Sequence, residues 1–220
     1  MLRNTYWIIA ITASIGLVTA IACGSDSKKP DPTPAAQANP ALTEVQAALN
    51  NFANLKNFRA TFAAQNKSAS GTISAVAFTY DVVTPDKYQL YTGPTAGITR
   101  VVGKETFSYD RAKDEWTLLT DYSGAAYEGY NRLFDAKTMT DISKSLAETA
   151  TVTKGSTDTV EGKTCQLYVI TDNKSGNKTD MCVADNLPLR FIYHTGELNT
   201  TAVFSNYNTN IAIDRPKTIN

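Results

Sequence analysis

Few residues in this chain are equipped for chemistry. It holds three cysteines and one histidine, His194. Cys165 and Cys182 flank "QLYVITDNKSGNKTDM", two strand-like runs around a polar turn containing Gly176. A hairpin folding near Asn173–Ser175 sets the two cysteines nearly opposite each other on neighbouring strands. Non-hydrogen-bonded antiparallel pairs bring Cα atoms to about 4.5 Å, within disulfide reach. Metal ligation and redox catalysis compete with this reading. The gap is not a C-x-x-C, and His194 is a single candidate third ligand. The spacing favours a structural disulfide, and closing such a loop contributes about 3 kcal/mol.

Other constellations are weaker. Asp110, Asp114 and Glu115 bunch in "DRAKDE", without the glycine spacing of a calcium loop, and read as a turn. "GSTDTVEGKT" (Gly155–Thr164) ends like a phosphate loop, but six residues separate its glycines where four are needed. It leads into a strand, so no helix N-terminus would face a phosphate, and it reads as a hairpin turn. No G-x-S-x-G elbow accompanies His194. No catalytic residue, metal site or cofactor is expected.

Cys23 is of another kind. Arg3 precedes an apolar run, Tyr6–Ala22, with small residues Ala20 and Ala22 just before the cysteine, as a secretory signal requires. "AIAC" (Ala20–Cys23) resembles the lipobox of bacterial lipoproteins, with Ala20 where leucine is preferred. That resemblance implies acylation of Cys23 and cleavage before it. The competing reading is an uncleaved transmembrane anchor, since the run approaches the roughly 18 residues a span needs. Both put the rest of the chain outside the cytoplasm, where a disulfide persists. "GSDSKKPDPTPAAQANP" (Gly24–Pro40) has four prolines and no apolar period, so it reads as a solvated stalk. The predicted organisation is a signal peptide at 1–22, the lipidated cysteine and linker at 23–40, and one domain at 41–220.

Charge is balanced, 21 basic against 21 acidic residues, so no basic surplus exists to hold nucleic acid. "ALTEVQAALNNFANL" places Leu42, Val45, Leu49, Phe52 and Leu55 on one helical face. A second helical region is predicted over Tyr127–Ala147, with Thr138 or Thr140 as an N-cap. Period-two runs fill the rest: "NFRATFAA", "GTISAVAFTYDV", "DKYQLY", "GITRVV", "ETFSYD", "EWTLL", "KTCQLYVI", "KTDMCVA", "LPLRFIY" and "LNTTAVFSNY". Short, evenly spaced strands between turn residues predict a continuous antiparallel meander. A sheet of roughly ten strands curls rather than staying flat. The fold class is therefore mainly β with some α: one strongly curved antiparallel sheet, an incomplete barrel, with helices in its concave side. The space between them reads as a packed core rather than a cavity on composition and periodicity alone.

The ordered series "LKNFRATF", "TPDKYQLY", "ITRVVGKETFSYD", "DEWTLL", "VEGKTCQLYVITD", "MCVADNLPLRFIY" and "VFSNYNTNIAI" resembles the LolA- and LolB-type lipoprotein carriers. It is similar also to the mycobacterial lipid-binding lipoproteins of the LppX and LprG type. The likeness spans Leu42–Ile213. It implies an open curved barrel that holds acyl chains in an apolar interior, with no enzymatic activity. Cavity positions are matched by pattern alone: Leu49, Phe52, Phe58, Phe62, Phe78, Tyr88, Leu90, Phe107 and Trp116. The partners implied are a membrane, through lipid on Cys23, and a hydrophobic ligand. The other reading within the same fold is an envelope sensor that binds a protein partner.

Overall fold

The computed structural model describes residues 39–67, 71, 73–92, 97–120, 135–195 and 198–219. The signal-like run, Cys23, the stalk up to residue 38 and the first part of the predicted second helix lie outside them.

Helix α1 (Pro40–Ala53) starts where the side chain of Asn39 accepts from the backbone N–H groups of Ala41 and Leu42, with Pro40 at the first helical position. Its buried face is Ala41, Val45, Ala48, Leu49 and Phe52, following the predicted stripe. Six strands follow: β1 (Asn57–Lys67), β2 (Ile73–Val83), β3 (Lys87–Tyr91), β4 (Ile98–Val102), β5 (Glu105–Asp110) and β6 (Glu115–Leu118). Helix α2 (Ala136–Thr149) leads directly into β7 (Ala150–Val160). The chain ends with β8 (Lys163–Asp172), β9 (Lys178–Ala184), β10 (Leu187–Thr195) and β11 (Leu198–Ser205).

The α2 cap differs from expectation. Asp135, not Thr138 or Thr140, is the N-cap: its carboxylate accepts from the Thr138 N–H at 2.7 Å and from the Thr138 hydroxyl. Strand β7 was not anticipated. Its "ATVTKGSTDTV" buries only Val152 and Val160, because it is the sheet's outermost strand and needs few apolar side chains. Val160 pairs with Lys163 across Glu161-Gly162, both at positive φ, so "VEGK" is the two-residue hairpin turn read from the sequence.

All eleven strands form one antiparallel sheet in the order β6-β5-β4-β3-β2-β1-β11-β10-β9-β8-β7. It is two meanders rather than one, joined where β1 pairs with β11 along Arg59↔Ser205 to Ala64↔Thr200. The chain reaches β7 through α2, so the second meander starts at the far edge and returns to the first strand. Among the described residues β6 and β7 do not pair with each other, and the curled sheet stays open.

Both described helices lie on the inner face. Asn39 Nδ2 donates to the Val152 carbonyl at 3.0 Å, fixing the start of α1 to β7, and Asn51 Nδ2 donates to the Asn186 carbonyl at 3.1 Å near its end. Helices α1 and α2 are joined reciprocally. Gln46 Nε2 donates to the Ser143 carbonyl at 2.8 Å, and the buried Ser143 hydroxyl donates back to the Gln46 carbonyl at 3.2 Å. A buried hydroxyl needs such a partner. No helix among the described residues is long and apolar enough to cross a membrane.

Candidate functional site

Directly opposed residues of an antiparallel pair share a face, so the register sorts every strand residue inward or outward. One inner row runs Phe78–Phe62–Ala202–Phe191–Met181–Tyr168–Lys154 across seven strands. From Phe62 to Tyr168 it is buried. With Phe52, Phe58 and Phe204 it forms a packed core: the Phe52 ring centroid lies 4.8 Å from that of Phe58 and 5.0 Å from that of Phe204.

The next inner row behaves differently. It runs Val76–Ala64–Thr200–Tyr193–Thr179–Ile170–Val152. Val76 is 49% exposed and Tyr193 37%, although both stand on the face that carries the core. Packing around its ring pushes the Tyr193 phenol up to about 12. At the other end of the inner face, Phe58, Tyr80, Val82 and Tyr88 line a cleft of about 310 Å³ with Asp135–Lys137 at the start of α2. That is near the lower end of ligand pockets, about 300–1,000 Å³.

The structure places seven of the nine predicted lining residues on this inner side. Leu49, Phe52, Phe58, Phe62 and Leu90 are buried in the core, Tyr88 also borders the cleft, and Phe78 is half-buried, stacked on Phe62 at 4.7 Å. Phe107 and Trp116 are corrections. Phe107 is paired with Arg100 and Leu118, and Trp116 with Tyr109, which puts both on the outer face. Phe107 is fully buried because the C-terminal residues cross it. Arg215 binds Glu105 through two hydrogen bonds, of 2.9 and 3.2 Å, Arg100 Nη1 donates to the Asp214 carbonyl at 2.8 Å, and Ile213 is buried. Trp116 carries the Arg100 guanidinium 4.5 Å above its ring. It borders an outer cleft of about 500 Å³ that also holds Asp114, Glu115 and Lys217. Larger though it is, that cleft is ringed by charge and does not suit an apolar guest.

The cysteines are joined, with Cα atoms 5.5 Å apart. They are diagonal rather than opposite: Leu167 faces Cys182, and Cys165 sits two residues along. The hairpin turns at Asn173–Ser175, where the sequence placed it, and Asp172 organises it. Its carboxylate accepts from the backbone N–H groups of Lys174 and Ser175, and Gly176, at φ +73°, donates its N–H back to the Asp172 carbonyl. The disulfide packs with Val160 and Leu189 in a small outer-face cluster.

Several polar groups are committed to structure. Glu44 on α1 accepts from Lys154 Nζ at 2.8 Å and from the Tyr168 hydroxyl, which together hold its carboxyl below the usual range. Burial, and then that bond to Glu44, raises the Tyr168 phenol. Asp114 accepts from the Tyr109 hydroxyl, and Asp110 accepts from the Ala112 N–H, so the "DRAKDE" carboxylates shape a turn.

His194 lies on the outer face between Asp180 Oδ2, 3.0 Å from Nε2, and Asn199 Oδ1, 2.9 Å from Nδ1. Asp180 first, then Asn199, raises its pKa. A raised folded-state pKa means the stabilisation is complete below the unfolded value, about 6.5, and fades as pH rises through the folded one. The half-exposed ring limits it to about 1 kcal/mol or less. Denaturant midpoints should therefore separate wild type from His194→Ala more at pH 5.5 than at pH 8.5. An equal gap at both would show that the ring contributes only packing.

No family model matches the chain, and no curated protein does. Solved structures do. LprF of Mycobacterium bovis superposes with a TM-score of 0.56 at 11% identity, covering 80% of this chain and 96% of that one. LppX lipoprotein of Mycobacterium tuberculosis gives 0.49 at 14% identity, over 79% and 98%. The MucA/MucB complex of Pseudomonas aeruginosa gives 0.47 at 14%, over 79% and 58%. The fold is that of LprF, an open curled sheet, and the resemblance seen in the sequence is a likeness of fold.

The sequence reading missed Tyr193, Thr179 and Thr200. A signal for the first existed: Tyr193 alternates with the core residue Phe191 in "LPLRFIY", which sets both on one face.

Proposed function

We propose that the chain is a non-catalytic lipoprotein of the bacterial envelope, fastened to a membrane through acylated Cys23. Residues 1–22 are its signal peptide, 23–40 its stalk, and 41–220 the domain that takes an acyl chain on the inner face of the sheet. The observation that carries this reading is an inner face left incompletely filled, with an apolar cleft of about 310 Å³ and a half-exposed row through Val76 and Tyr193. Hydrophobic burial gives about 0.8 kcal/mol per CH₂, so a tail of roughly ten carbons gains gross free energy of about 8 kcal/mol. No cofactor is needed. A second reading, a domain that binds an envelope protein, is favoured by the tight packing of Phe52, Phe58 and Phe204.

The test is the Cys23→Ala protein, expressed in a bacterium and compared with the parent. It should lose label from a palmitate analogue, leave the membrane fraction, and carry stoichiometric lipid into an organic extract read by mass spectrometry. Membrane association with an uncut N-terminus would instead make Tyr6–Ala22 a transmembrane helix. A lipid-free extract, with no uptake of a fluorescent fatty acid, would leave the protein-binding reading.

A further inference from the structure

The exposed inner row carries more than apolar surface. Tyr193 on β10 is flanked directly by Thr200 on β11 and Thr179 on β9, so three hydroxyl-bearing residues stand side by side across three strands. None of the three side chains meets a hydrogen-bond partner among the described residues, whereas the Tyr168 hydroxyl, in the neighbouring row, has one. The neighbouring row, at Ala202, Phe191 and Met181, is wholly apolar and buried. Tyr193 is thus a half-exposed donor beside a filled apolar floor. Its ring is steadied by Phe191, 6.0 Å between centroids. Its phenol stays protonated well above neutral pH and donates throughout that range.

A half-exposed donor favours a guest that brings an acceptor, because leaving it unpaired under a hydrocarbon forfeits its bond to water. We propose that Tyr193 is a specificity-determining residue, donating to the carbonyl oxygen of an acyl ester while Thr179 and Thr200 meet the ligand's remaining oxygens. The inner face would then select ester-linked acyl lipids over ether-linked or plain alkyl chains. This rests on the reading of the inner face as a ligand host.

The experiment uses two probes differing in one carbonyl: 1-monolauroylglycerol and 1-O-dodecylglycerol. Each displaces N-phenyl-1-naphthylamine from the Cys23→Ala protein and from its Tyr193→Phe derivative. The parent should prefer the ester by roughly two- to tenfold, the range of one net hydrogen bond. Tyr193→Phe should lose that preference by weakening the ester alone, leaving ether affinity and the denaturant midpoint unchanged. Equal affinities in the parent, or a preference that survives in Tyr193→Phe, would overturn the role of Tyr193 while leaving the host reading intact. Failure of the fluorophore and of both glycerides to bind the parent would overturn the host reading, and this inference with it.

Discussion

Phe52→Ala is expected to lower stability by about 3–5 kcal/mol, the range for truncating a fully buried aromatic. Phe52 is 2% exposed and meets Phe58 and Phe204 ring to ring, so a methyl there leaves a void among rigid neighbours. At about 2–4 °C per kcal/mol for a domain of this size, the midpoint should fall by roughly 6–20 °C. Chemical denaturation resolves it best, since the midpoint can move while the slope does not. The outcome also locates the ligand space. A loss under about 1 kcal/mol would mean that Phe52 borders a hollow already present, and that the core lies elsewhere. The structure sets Phe52 in the floor, so probe binding should survive at temperatures where the variant remains folded.

Removing the disulfide as Cys165→Ala/Cys182→Ala should cost about 3 kcal/mol in the loop-entropy picture, given the separation of 17 residues. Mild reduction of the wild type should move its midpoint about as far, and should leave the double variant unmoved. Native protein in which both thiols alkylate without reductant would contradict the cross-link outright. The bond joins β8 to β9 on the outer face, away from the inner rows. Its loss should therefore change stability much more than lipid affinity.

What could be read from the sequence divides along physical lines. The stripe of α1 was legible because Val45, Leu49 and Phe52 recur at helical spacing and all three are buried. Ten of the strands were legible from alternation. Strand β7 was not, because an edge strand needs few apolar side chains and its second half, Gly155–Val160, read as part of a hairpin turn. Phe107 shows a different limit. An aromatic in a strand signals burial, but either face of a sheet can be covered, and here the chain's own end covers the outer one. The hydroxyl row was hidden for a related reason. Thr179, Tyr193 and Thr200 come from three strands, and only the register makes them neighbours.

The seam between β1 and β11 also bears on how the molecule comes into being. Residues 59–64 find their partners at 200–205, and α1 is tied to β7. Each meander consists of hairpins between strands adjacent in sequence, which form readily, but the join waits for the last strand. Until β11 is made, β1, eleven residues long, carries one bare edge. The sheet therefore closes at its centre, not at a margin.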